Sequence, residues 1–121
     1  MATKKTTHKW GLKRDIAERW LQALETGEFK QVKGSWETRI VGEHCVLGVL
    51  GKVNGARKGH CNFVEQDLLR RNMQSCLVGK ERDQAVQDFR SKVMRMNDRG
   101  TNFKDLAKFI RENVKLVDDV S

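Results

Sequence analysis

Between Gly48 and Gly59 the chain sets Lys52, Arg57 and Lys58 among glycines at 48, 51, 55 and 59. That combination suits one kind of chemistry, the holding of an anion. Glycine lets backbone N–H groups approach a phosphate closely, and the cations neutralise it. Arg57 is the key residue of the group, because a planar guanidinium holds a phosphate through two parallel hydrogen bonds and a lysine cannot. Gly55 and Gly59 flank it and leave the backbone free to close on a ligand. No Gly-Lys-Ser/Thr follows, so the segment is not a Walker loop. Upstream, Trp36 offers a flat face on which a base could stack. With Gln31 it extends the candidate ligand-binding set to Gln31, Trp36, Lys52, Gly55, Arg57 and Lys58.

Two His-Cys pairs, His44-Cys45 and His60-Cys61, invite comparison with a zinc site, which takes imidazole and thiolate ligands. Their spacing argues against it. Adjacent side chains point to opposite faces of a strand and diverge by about 100° on a helix, so neither pair acts as a pair. No metal and no cofactor is expected. The same divergence weakens a cysteine nucleophile, which needs its base in spatial reach. With no paired acid and base, metal set or activated nucleophile visible, the chain reads as a non-enzyme. Three cysteines without a secretory leader read as reduced thiols rather than a disulfide framework.

The formal net charge is +8, and it is concentrated at the start, where Lys4, Lys5, Lys9, Lys13 and Arg14 precede the first acid, Asp15. A basic balance favours anionic partners. The alternative to a nucleotide pocket is therefore a nucleic-acid surface built from Lys4, Lys5, Lys9, Arg70 and Arg71. Arg82, Arg90, Arg95 and Arg99 extend the positive series, but Glu81, Asp83, Asp88 and Asp98 interrupt it, as in a solvated helix laced with ion pairs. A third possibility is an inhibitor docking on an acidic host protein.

These side chains need a scaffold, and 121 residues suffice for one compact core. Residues 1–10 lack an apolar cluster and read as a disordered basic arm, leaving 11–121 as a single globular domain. Ile16, Trp20, Leu21 and Leu24 mark a first helix over about 12–26, ended by Gly27. Phe29, Val32, Trp36, Ile40 and Val41 are β-formers punctuated by glycine, which predicts a small hairpin near 29–41. The apolar run 44–53 fits a buried strand or a buried helix equally by periodicity. Further helices are expected over about 64–74, 82–97 and 103–116. The last two form a helical hairpin, in which Gly100 ends one helix and Asn102 caps the next. In this reading Asn97 and Asp98 serve as turn residues. The fold class is mainly α, α+β at most, with four to five helices. No apolar run approaches the ~20 residues that span a bilayer, so no membrane partner is expected.

Two segments carry a resemblance: Trp20-Leu21-Gln22-Ala23-Leu24-Glu25-Thr26-Gly27-Glu28-Phe29-Lys30-Gln31, leading to Cys45-Val46-Leu47-Gly48-Val49-Leu50, and Asn97-Asp98-Arg99-Gly100-Thr101-Asn102-Phe103. Together they resemble a family of small tailed-phage accessory proteins. Relative to that pattern, His44 replaces a tyrosine, Val46 and Gly51 replace cysteines, and Lys52 replaces an aspartate. The resemblance implies a helical 44–53 segment and action in the cytoplasm of an infected bacterial host. By analogy with small phage accessory proteins it points to a counter-defence role, either blocking a host defence or transcription factor or, the expected case, capturing a phosphate-bearing nucleotide signal. Small size favours a homo-oligomer whose interface completes a pocket.

Overall fold

In the computed structural model, which describes residues 8–120, the first described element is a strand. β1 (Trp10–Lys13) runs directly into α1 (Arg14–Thr26). Two short strands follow, β2 (Lys30–Gln31) and β3 (Glu43–His44), then α2 (Val46–Val53), α3 (Cys61–Asn72) and β4 (Met73–Ser75). α4 (Arg82–Asp98), α5 (Phe103–Asn113) and β5 (Val114–Val117) complete the order. The fold is mainly α, as the apolar periodicity implies, with two small sheets, and it contains no helix long and apolar enough to cross a membrane among the described residues.

The larger sheet has the order β4-β1-β5, with β1 antiparallel to β4 and parallel to β5. Trp10 pairs with Ser75 on one side and Val114 on the other. Lys9 extends the ladder: its N–H donates to the Asn113 carbonyl, and its own carbonyl accepts from Cys76 N–H, both at 2.9 Å. Lys9 and Trp10 thus belong to the folded domain and not to an arm, because the apolar Trp10 ring packs edge-on against Phe89 at 5.1 Å. Lys4 and Lys5 lie outside the described residues. The final helix ends at Asn113 rather than near 116, since Val114-Lys115-Leu116-Val117 pairs with β1 instead.

The expected hairpin near 29–41 is replaced by a parallel pair, Lys30 opposite Glu43 and Gln31 opposite His44, with one antiparallel bridge between Glu37 and His44. Side chains from α4 take the place of a cross-strand partner. Asn97 Nδ2 donates to the Val32 carbonyl at 2.8 Å, and Asp98 Oδ1 accepts from Gly34 N–H at 2.9 Å. The loop is therefore fastened to α4 as well as to its own far end.

Trp20, Leu24, Leu47, Leu50, Phe89, Phe103 and Ile110 are all buried in a single core. The 44–53 segment is helical from Val46, capped by Cys45, whose sulfur accepts from Gly48 N–H. Its glycines mark close approaches. A Cβ at Gly48 would overlap the Trp36 carbonyl oxygen, and one at Gly51 would overlap the Cys61 carbonyl oxygen. Those approaches bring the 36–37 stretch and the first turn of α3 against α2. α3 itself begins at Cys61, three residues before the apolar periodicity indicates.

Candidate functional site

The six residues of the sequence-derived pocket do not converge. Gln31 turns toward the α4–α5 corner, where its amide donates to Asn97 Oδ1 at 3.0 Å and to the Thr101 carbonyl at 2.6 Å. Trp36 donates its indole N–H to Glu65 at 3.0 Å. Glu65 is buried and also receives a bidentate contact from Arg90, with the shortest N–O distance 2.6 Å. Burial pushes the Glu65 carboxyl up, while Arg90 and Trp36 draw it down. Both Gln31 and Trp36 are therefore committed to holding the loop, which is a structural duty. Gly55 forms the exposed turn after α2 with φ +97°. Arg57 is exposed, and its guanidinium has no hydrogen-bond or ion-pair partner among the described residues.

Lys52 and Lys58 do meet. They line a small cavity with Glu37, Thr38, Ile40, Val41, Gly42 and His44, of ≈ 70 Å³. Lys58 Nζ donates to the Arg39 carbonyl at 3.2 Å. Ligand clefts usually occupy ~300–1,000 Å³, so this cavity admits a group the size of one phosphate or a water, and not a nucleotide.

A second cleft is larger. Lys9, Trp10, Ser75, Leu77, Lys80, Ala85, Asp88, Lys92 and Phe109 enclose ≈ 300 Å³. Its floor is aromatic, formed by Trp10 and Phe109, whose rings lie 6.5 Å apart. Its rim is cationic. Lys92 Nζ stands 6.0 Å from the Phe109 ring centre. Lys80 pairs with Asp88 at 3.0 Å and holds that carboxyl below its ordinary value. Three lysines against one carboxylate leave the rim positive. Sequence reasoning placed Lys9 among nucleic-acid contacts and missed the other members. Lys9 just before β1 and Trp10 at its start, Leu77 and Lys80 from the β4–α4 segment, Lys92 of α4 and Phe109 of α5 come together. No local spacing signals that convergence; it exists only once β1 is paired with β4 and β5.

The nucleic-acid alternative disperses as well. Arg71 forms an i,i+4 ion pair with Asp67 at 3.0 Å, and Arg70 lines a separate, largely polar cleft of ≈ 290 Å³ with Gln66, Asp83, Val86 and Gln87.

The two His-Cys pairs divide as their local geometry requires. Cys45 turns inward as the α2 cap, with its sulfur 3.7 Å from the Met94 sulfur, while His44 turns toward the 37–42 loop. His60 is exposed against Phe63, while Cys61 is buried at the first turn of α3. One member of each pair then meets the other. His44, Cys61 and Glu37 bring their donor atoms within 4.8 Å of one another. Burial pushes the Cys61 thiol up to about 12, reinforced by the Glu37 carboxylate, and burial pushes Cys45 up to about 11. Neither buried thiol is poised as a free nucleophile.

No protein family, curated protein or solved structure matches this chain.

Proposed function

We propose that this protein is a non-enzymatic binder of a phosphate-bearing, planar anion of the nucleotide class, and that the ligand enters the Lys9–Trp10–Lys80–Lys92–Phe109 cleft. The observation that carries the reading is the pairing of an aromatic floor with a cationic rim in a space of ≈ 300 Å³. The aromatic floor takes the flat, apolar part of the ligand, and the ammonium groups take its phosphates. A phosphate would also draw Lys80 away from Asp88, exchanging one anionic partner for another. The net charge of +8 adds long-range attraction for such a ligand. The raised pKa values of both buried thiols favour binding over thiol-based catalysis.

The biological setting rests on the sequence resemblance alone: a phage accessory protein in the host cytoplasm that sequesters a nucleotide signal of host defence. The same reading takes the protein to be a homo-oligomer, which sedimentation velocity measures directly. The binding claim is tested by thermal shift against cyclic and linear nucleotides, beside duplex and single-stranded DNA. A ligand that binds only the folded state adds ~2.7 kcal/mol of stability at one hundred times its Kd. Saturable stabilisation by a nucleotide is the expected result. Binding confined to DNA, with affinity falling steeply as salt rises, would instead indicate counterion release on a phosphate backbone and would replace this reading.

A further inference from the structure

We infer that Glu37, His44 and Cys61 form a binding site for a borderline-soft divalent cation, of which zinc is the natural occupant. The three residues supply one oxygen, one nitrogen and one sulfur from three different segments: the 32–42 loop, β3 and the start of α3. Their donor atoms lie within 4.8 Å of one another. Tetrahedral zinc with bonds of about 2.0–2.3 Å places its ligands roughly 3.5 Å apart. Side-chain movements of about 1 Å on metal binding close the difference.

The second observation is His44 itself. The residue is 4% exposed, and its Nδ1 is a buried polar atom with no hydrogen-bond partner. Buried polar groups are nearly always satisfied, and one ring nitrogen of His44 lies within 4.8 Å of a Glu37 oxygen and the Cys61 sulfur, where a metal bound through Nδ1 would satisfy it. Burial disfavours protonation of the ring, against smaller opposing effects from a Gly42 backbone group and Glu37. The neutral imidazole is the ligating form. Phe29 packs edge-on against the ring at 5.0 Å and fixes its plane.

Glu37 is positioned with equal care. Its backbone bridges His44, and its Oε1 accepts from Gly59 N–H at 2.7 Å and from Cys61 N–H at 3.4 Å. Such outer contacts orient a ligating carboxylate. The Cys61 thiol lies beside the Glu37 carboxylate. When the metal binds, that thiol loses its proton to solvent and the sulfur–metal bond takes its place. Thiolate and carboxylate together then balance the two charges of the cation. Lys52 interacts electrostatically with His44 and Cys61 and raises the cost of a bare cation, which the two anionic ligands offset. Glu37 and His44 also line the ≈ 70 Å³ cavity, enough for a water as fourth ligand. Softness and mixed N, S and O donors select zinc over magnesium or calcium.

The test uses the full chain, purified reduced and stripped of metal, titrated with zinc and separately with cobalt(II). About one equivalent of zinc is expected, and the cobalt form should show a thiolate-to-metal charge-transfer band. Cys61→Ser should abolish the band, whereas Cys76→Ser, which alters an exposed thiol, should retain it. His44→Ala and Glu37→Gln should each weaken zinc binding at least about tenfold. Circular dichroism reports whether Cys61→Ser and His44→Ala stay folded. If either unfolds, the wild-type cobalt spectrum and the Glu37→Gln titration decide alone. No zinc uptake by the wild type, cobalt uptake without the thiolate band, or unchanged affinity in Glu37→Gln overturns the assignment.

Discussion

Asn97 shows how one side chain can serve a purpose that its sequence context hides. In the sequence it precedes Asp98, Arg99 and Gly100, and turn chemistry is its ordinary use. In the fold it is buried within the last turn of α4. Its Oδ1 accepts from Gln31 Nε2 and from Val46 N–H at 3.1 Å, and its Nδ2 donates to the Val32 carbonyl. One amide therefore joins α4 to the 31–32 stretch and to the first residue of α2. Asn97→Ala leaves the Val46 N–H and Val32 carbonyl without their partner, and should destabilise by about 1–3 kcal/mol. Urea denaturation measures this, and a change within a few tenths of a kcal/mol would remove Asn97 from the scaffold. At the surface, Glu25 meets Arg111 with N–O distances of 2.6 and 2.7 Å. The hydrogen bond from Arg111 holds the Glu25 carboxyl below its ordinary value of 4.5. A carboxyl whose folded pKa is lowered stabilises the fold above its unfolded pKa, and loses that contribution as pH falls through the folded value. Both partners are partly exposed, so the contribution is under about 1 kcal/mol. Glu25→Gln should melt slightly below wild type at neutral pH, and the difference should vanish in acid well below 4.5. A gap that widens in acid would contradict the sign.

Among the elements, those ruled by neighbours in sequence were legible and those ruled by distant pairing were not. α5 follows directly from its residues. Asn102 Oδ1 accepts from Asp105 N–H at 2.8 Å, and Phe103, Leu106, Ala107 and Ile110 form the buried stripe. Gly100 with φ +97° takes the left-handed turn that its position implies. The mixed sheet is different. Trp10 pairs with Val114 across most of the chain length, and no local pattern encodes that partner. The 44–53 segment illustrates the boundary between the two. Its periodicity is ambiguous because residues 44–51 are buried on every face, and its glycines, unfavourable to a helix in isolation, answer to the packing. Gly51 is where α3 crosses α2. Glycine in a helix normally costs roughly 0.5–1 kcal/mol relative to alanine, so Gly51→Ala would stabilise an isolated α2. Here the added Cβ meets the Cys61 carbonyl. The net effect should be a loss of about 1–3 kcal/mol, the range for overpacking. A rise in Tm would show that α2 and α3 are free to separate.

Across the whole molecule, the candidate site moved because ligand-sized space and charge coincide only after folding. Lys52, Arg57 and Lys58 are cations at a loop, and the sequence reveals them, but their neighbouring cavity holds ≈ 70 Å³. The cleft of ≈ 300 Å³ draws on β1, the segment before α4, α4 and α5. Lys9, Lys80 and Lys92 are ordinary surface lysines in the sequence, and only the fold sets them around Trp10 and Phe109. Isothermal titration calorimetry of the best-stabilising nucleotide, into wild type, Lys92→Ala and Arg57→Ala, separates cleft from loop in one measurement. All three proteins should share one Tm without ligand, because both lysine and arginine are exposed. Losing a charged hydrogen-bond donor costs ~1.5–3 kcal/mol of binding, so Lys92→Ala should weaken affinity roughly tenfold or more, with Arg57→Ala matching wild type. Full affinity in Lys92→Ala beside a tenfold loss in Arg57→Ala would contradict the account and return the site to the loop.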